Sequence, residues 1–247
     1  MRRTNFVQVS SLLVPVVGLI CVLLAACGGG SYSPTQKTTT APGPQVISTL
    51  PSSGATSVST NSSVAVTFDS NLNVGSLSSS VSVNCGGTVI PGSVAYDATN
   101  HTLVIHFSST LPTNTQCTVT LSGIQDATGN PMSQPLTFTF TTGNSADLTA
   151  PAVVAFSPAA NATGVPSTAK VTVQFSKAMD PTILNGRTNT GLAGSYTYDP
   201  NTFTATLVPS TPLQPNATYT VTVSGTIRDM EGNVLGQDLT WSFSTGQ

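Results

Sequence analysis

Apolar and polar residues alternate in short runs along most of this chain. Val64, Val66 and Phe68 share one face of a run whose other face carries Ser63, Ala65 and Thr67, the period-2 signature of a half-buried strand. Leu103, Ile105 and Phe107 alternate with Thr102, Val104 and His106; Val119 and Leu121 with Thr118, Thr120 and Ser122; Leu136, Phe138 and Phe140 with Thr137, Thr139 and Thr141. The scheme returns in Val171-Val173-Phe175, Phe203-Ala205-Leu207, Tyr219-Val221-Val223 and Leu239-Trp241-Phe243. Helix formers in periodic array are absent. Short strands with turn residues between them, about seven per hundred residues, predict antiparallel β-sandwiches in which each sheet buries one face. The expected fold class is all-β.

The pattern is written twice. Pro44-Gln-Val-Ile-Ser-Thr-Leu-Pro51 is echoed by Pro151-Ala-Val-Val-Ala-Phe-Ser-Pro158, and Val58 by Val165. Asp126-Ala-Thr-Gly-Asn130 and Phe138-Thr-Phe-Thr-Thr-Gly143 close the first copy, as Asp229-Met-Glu-Gly-Asn233 and Trp241-Ser-Phe-Ser-Thr-Gly246 close the second. A period of about 100 residues is far longer than the 20–50 of a solenoid and predicts tandem domains, each large enough for its own core. The expected organisation is a signal peptide at 1–26, a lipidated Cys27 and tether at 27–43, and one sandwich at 44–143. A linker at 144–150 then leads to a second sandwich at 151–247, laid end to end with the first.

The beginning of the chain sets the compartment. Arg2 and Arg3 precede an apolar run, Leu12 to Leu24, that ends in Leu24-Ala-Ala-Cys27 and three glycines. A charged start, an apolar stretch and small residues before the cut describe a secretory signal peptide. Leu-Ala-Ala-Cys resembles the lipobox of bacterial lipoproteins, which implies cleavage before Cys27 and acylation of its thiol and new amino terminus. More than one acyl chain on one residue gives stable membrane anchoring, which a single chain gives only marginally. Gly28 after the cysteine, by the same resemblance, implies outer-membrane sorting in a Gram-negative cell. The stretch from Gly28 to Pro44 is mostly Gly, Ser, Thr and Pro with one charge, Lys37; it cannot bury enough apolar surface to fold and is expected to be a flexible tether with a reach of about 20–25 Å.

The motif set Val173, Phe175, Ser176, Ala178 to Pro181, Leu213, Pro215, Tyr219, Asp229, Gly232, Asn233, Phe243 and Thr245 resembles the bacterial Ig-like domain of the S-layer SbsA type. The first copy departs from it, with Asp69-Ser-Asn-Leu-Asn73 in place of Ser176-Lys-Ala-Met-Asp180 and Cys117 in place of Tyr219. That resemblance implies spacers, stalks and adhesion modules on the cell envelope, and it specifies a domain type rather than an activity.

Composition narrows the partners. After processing, five basic residues stand against nine acidic ones, a net charge of −4 with no basic cluster. This argues against nucleic acid and anionic lipid. The expected partners are the membrane, through the lipid on Cys27, and an envelope protein or glycan. No cofactor is expected.

Candidate chemistry is sparse. Cys85 shares a face with Val81 and Val83, and Cys117 with Val119 and Leu121. Two inward cysteines in an exported domain predict a disulfide, with a pair of reduced core thiols as the alternative. Asp126, Asp147, Asp229 and Glu231 offer oxygens for a Ca²⁺ near the domain junction. The preferred reading of Asp126 and Asp229 is an Asx-turn, with Gly-Asn supplying the positive φ. Asp180-Pro181 opens a turn. His101 and His106, five apart on one strand, face opposite sides and cannot share an ion; both are expected to be exposed. Trp241 is expected in the core. No Gly-x-Ser-x-Gly, His-Glu-x-x-His or phosphate loop occurs, so no catalytic residue is assigned and the chain is expected not to be an enzyme. An envelope glycan-active enzyme, or an accessory subunit of a secretion or surface-assembly system, is the competing class.

Overall fold

The first copy contains eight strands, of which β2, β3, β6, β7 and β8 follow from the alternation: β1 (Val46–Leu50), β2 (Val64–Phe68), β3 (Val81–Cys85), β4 (Thr88–Val89), β5 (Gly92–Asp97), β6 (Thr102–Phe107), β7 (Gln116–Leu121) and β8 (Leu136–Thr141). The second copy contributes β9 (Val153–Ser157), β10 (Val171–Phe175), β11 (Thr188–Asn189), β12 (Gly194–Asp199), β13 (Thr204–Pro209), β14 (Thr218–Val223) and β15 (Leu239–Ser244), with a one-turn helix α1 (Pro181–Leu184). This computed structural model describes residues 42–184, 187–189 and 191–247. The expected signal peptide, Cys27 and the tether as far as residue 41 lie outside the described residues.

All named pairings are antiparallel, and the two copies share one strand order except that β4 has no counterpart among the described residues of the second. The first sandwich stacks β1-β2-β6-β5 on β4-β3-β7-β8; the second stacks β9-β10-β13-β12 on β11-β14-β15. Inward rows form two separate cores. Val64, Val66, Phe68, Leu103, Ile105, Val119, Leu121, Phe138 and Phe140 fill the first, and Val171, Val173, Phe175, Leu207, Val221, Val223, Trp241 and Phe243 fill the second. Trp241 packs its ring 4.4 Å from that of Phe156, and its Nε1–H donates to the Pro158 carbonyl at 2.9 Å, so the buried indole N–H is satisfied.

Cys85 and Cys117 stand directly opposite in the β3–β7 register, are 2% and 0% exposed, and are joined by a disulfide. The alternation turns both thiols inward, and the β3–β7 register sets them opposite each other.

One face departs from the pattern. Thr102, Leu103, Val104 and Ile105 of β6 are all buried, so this strand is covered on both sides. Its inner row meets the first core. Its outer row, Val104 with Ala65 of β2, packs on Ala178 and Met230 of the second copy. The sandwiches therefore do not simply follow one another end to end: loops at one end of the second rest on the outer face of β2 and β6. The described residues form a single compact unit. Met230 supplies the apolar plug, 3% exposed, and its carbonyl accepts from the Ser63 N–H at 2.8 Å. On the same face Asn100 Oδ1 accepts from the Tyr198 N–H of β12 at 2.8 Å.

Candidate functional site

The junction gathers most of the chemistry in the described residues. Asp229 opens the loop before β15, and its Oδ1 accepts from the backbone N–H groups of Glu231 (3.0 Å) and Asn233 (2.7 Å). Its Oδ2 accepts from the Asn233 side chain at 2.9 Å. Asp126 builds the same loop in the first copy, accepting from Thr128 and Asn130 N–H groups at 2.8 and 2.9 Å and from the Asn130 side chain at 2.8 Å. These are Asx-turns in which the carboxylate replaces backbone acceptors. Hydrogen bonds from Asn130 foremost, and from Thr128, outweigh partial desolvation and bring the Asp126 pKa down to about 2.

The copies differ in what else reaches the loop. Lys177 Nζ lies 2.6 Å from Asp147 Oδ2, 2.7 Å from Asp229 Oδ2 and 3.2 Å from Glu231 Oε2. The structure thus brings together three of the four residues considered for calcium, leaves Asp126 in its own loop, and fills the centre of the three with an ammonium group. Among the described residues no group of three His, Cys, Asp or Glu side chains is arranged to hold a metal ion. Lys177 was not singled out as a site residue, although the signal was present: it falls where the two copies diverge, with Ser70 in its place in the first.

The cluster is stitched to the first sandwich by Asn61. Its side-chain N–H groups donate to the carbonyls of Asp147 (2.8 Å) and Glu231 (3.0 Å), and its Oδ1 accepts from the Asp147 N–H at 2.9 Å. Ser62 Oγ donates to Glu231 Oε1 at 3.0 Å. Burial disfavours the Lys177 charge, but hydrogen bonds to Asp147, Asp229 and Glu231 more than offset this and raise its pKa above the ordinary 10.5. The hydrogen bond from Lys177, with help from Thr149, brings Asp147 from 3.8 down to about 2.

The signs of these shifts set a pH window. The depressed carboxylate contributes fully above about pH 4 and loses its contribution as pH falls toward 2. The raised ammonium contributes fully below 10.5 and loses its contribution progressively as pH rises from there through its own raised pKa. We expect the junction to hold unchanged between about pH 4 and 10.5 and to loosen on acidification through pH 3. Small-angle scattering at pH 7 and pH 2.5 would check this. The loosening should be modest and salt-sensitive, because the Asp147 side chain is 31% exposed and screened by water.

His106 corrects an expectation. Rather than an exposed strand histidine, it is half-buried beneath the second sandwich. Its Nδ1 lies 3.2 Å from Ser63 Oγ, and its Nε2 lies 3.4 Å from Oδ2 of Asp180, which is 1% exposed. Asp180 Oδ1 caps α1 by accepting from the Thr182 N–H and hydroxyl at 3.0 and 2.6 Å. A Ser-His-Asp row is chemically suggestive, but acyl transfer needs the acid to orient the base through a directed hydrogen bond. The 3.4 Å contact is an ion-pair distance without that bond, so the row reads as an interdomain clasp. His101 sits in the turn before β6 at φ 51°, away from this contact.

Two tyrosines, Tyr96 half-buried and Tyr198 buried, escaped sequence reading. Tyr96 Oη accepts from the Leu72 N–H at 3.0 Å, and Tyr198 Oη accepts from the Met179 N–H at 2.8 Å, the same bond in both copies. Burial, partly offset by that bond, pushes the Tyr198 pKa up to about 12.

Beside the clasp lies an open cleft of about 680 Å³, formed by β5, β6 and the strand-end residues 108–110 of the first sandwich with α1 and the 228–232 loop of the second.

The bacterial Ig-like domain family model matches residues 38–142 and 147–245. No curated protein matches the chain. Among solved structures, the chain is similar to the S-layer protein SbsC, domains 1–6, at 17% identity and a TM-score of 0.37, covering 82% of this chain and 26% of that one. It is also similar to the copper resistance protein PcoC of Escherichia coli, at 19% identity and a TM-score of 0.34, over 40% of this chain and 98% of that one. The L,D-transpeptidase 1 of Mycobacterium tuberculosis matches at 18% identity and a TM-score of 0.29, over 53% and 47%. Likenesses of this size carry no functional argument.

Proposed function

This chain belongs to the bacterial Ig-like domain family, and from that premise we propose that it is a non-catalytic, lipid-anchored protein of the cell envelope whose paired sandwiches form a stiff spacer and binding module. A pair of bacterial Ig-like domains suggests a cell-surface or envelope protein. The observation that carries the spacer reading is the junction: Lys177 holds three carboxylates, Asn61 bonds both sides, and Met230 plugs the outer face of β2 and β6. A contact that joins an apolar plug to a network of ion pairs and hydrogen bonds opposes the interdomain motion that tandem modules otherwise show. The non-catalytic reading is supported by the carboxylates themselves. Asp126 and Asp229 are spent on turns, Asp180 on a helix cap, and Asp147 and Glu231 on Lys177.

Anchoring rests on Leu24-Ala-Ala-Cys27, and the partner presented by the spacer is an envelope protein or glycan. In cells, Cys27→Ser is expected to move the protein from the membrane fraction to the soluble fraction. Unchanged partitioning on detergent-free fractionation would refute the lipid anchor.

A further inference from the structure

We propose that the cleft beside the His106 clasp is a binding site for a neutral oligosaccharide. This deepens the envelope-module reading and depends on it only for the availability of such a ligand.

The cleft has a volume of about 680 Å³, inside the range of about 300–1,000 Å³ typical of ligand sites. Its walls come from both sandwiches, so the junction described above pre-forms it. A pre-formed wall avoids the ordering cost that weakens binding by mobile surfaces.

Its lining is of two kinds. Phe107 and Ile183 are half-buried and give an apolar wall on each side. Around them stand Ser93, Ser109, Thr110 and Arg228, all exposed, whose side chains make no hydrogen bond or ion pair with another described residue. Hydroxyls can donate or accept, and the guanidinium offers five fixed N–H donors. Apolar walls interleaved with uncommitted donors and acceptors complement a sugar ring, which presents C–H faces and a rim of hydroxyls.

Charge selects among sugars. Asp180, Asp229 and Glu231 all line the same cleft. Lys177 is shared by two of them and by Asp147, so Arg228 does not leave the cleft with a positive surplus. A carboxylated or phosphorylated chain would meet like charge. A neutral one would not.

The test is titration calorimetry on the full chain in detergent with three neutral hexasaccharides, a β-glucan, a chitin and a mannan oligomer, and a hexameric uronate for contrast. At least one neutral oligomer is expected to bind with one site per chain. Arg228→Ala should weaken it about tenfold, the loss of one or two hydrogen bonds, and Thr110→Trp should block it, both with unchanged melting temperature. Failure of all three neutral oligomers, tighter binding of the uronate, or native affinity in both variants would overturn the site. Because binding is read in detergent solution, this outcome is independent of the Cys27→Ser fractionation: either can fail without the other.

Discussion

Lys177→Ala should destabilise the second sandwich and its junction by about 2–3 kcal/mol. The substitution leaves three carboxylates facing one another: the Asp229 side chain is fully buried, Glu231 is 16% exposed and Asp147 is 31% exposed. Removing one partner of a buried pair costs about 3–5 kcal/mol, mostly because a charge is stranded. Here the cost is lower, since Asp229 keeps its bonds from Glu231 and Asn233 and Asp147 can turn toward water. Denaturant midpoints measure the effect. Adding Asp147→Asn and Glu231→Gln should recover part of the loss, because the repulsion goes with the charges. A Lys177→Ala midpoint equal to that of the native chain would show that the cluster contributes nothing to stability, as many exposed ion pairs do.

The paired replacement of Cys85 and Cys117 by Ala should have the larger effect, about 3–4 kcal/mol. The bond closes a loop 32 residues long, and the chain-entropy estimate for such a loop is of that size. The loss should fall on the first sandwich, because both cysteines belong to its core. The released chain should also expose more surface when unfolded, so the denaturant slope should rise along with the fall in midpoint. A native-like midpoint in the double variant would mean that the unfolded chain gains little freedom when the bridge is removed.

The two effects differ in how much of their cause can be read without coordinates. The cysteines lie on alternating rows with Val81, Val83, Val119 and Leu121, so facing inward follows from period-2 geometry and their meeting from one strand pairing. Lys177 had no such row to place it. Its three partners are 30, 52 and 54 residues away along the chain, and no local spacing predicts that they converge. Val104 and Ala65 were legible as an outer face, but being outer to one sheet does not decide what lies beyond it. β5 and β12 were missed for a local reason: Gly92-Ser93 and Gly194-Ser195 open both with weak strand formers. Pairing to β6 and β13 along their whole lengths supplied the order that propensity did not.

By itself the sequence determined the repeats, the all-β class, the inward rows and the meeting of two thiols, because these depend on side-chain period and on neighbours within one sandwich. Only the tertiary structure decided that the second copy rests on the face of the first, that Lys177 stands among Asp147, Asp229 and Glu231, and that a cleft opens beside His106. Those features arise where one folded surface meets another, and such a meeting depends on the shape and charge of finished domains, which no periodicity along the chain encodes.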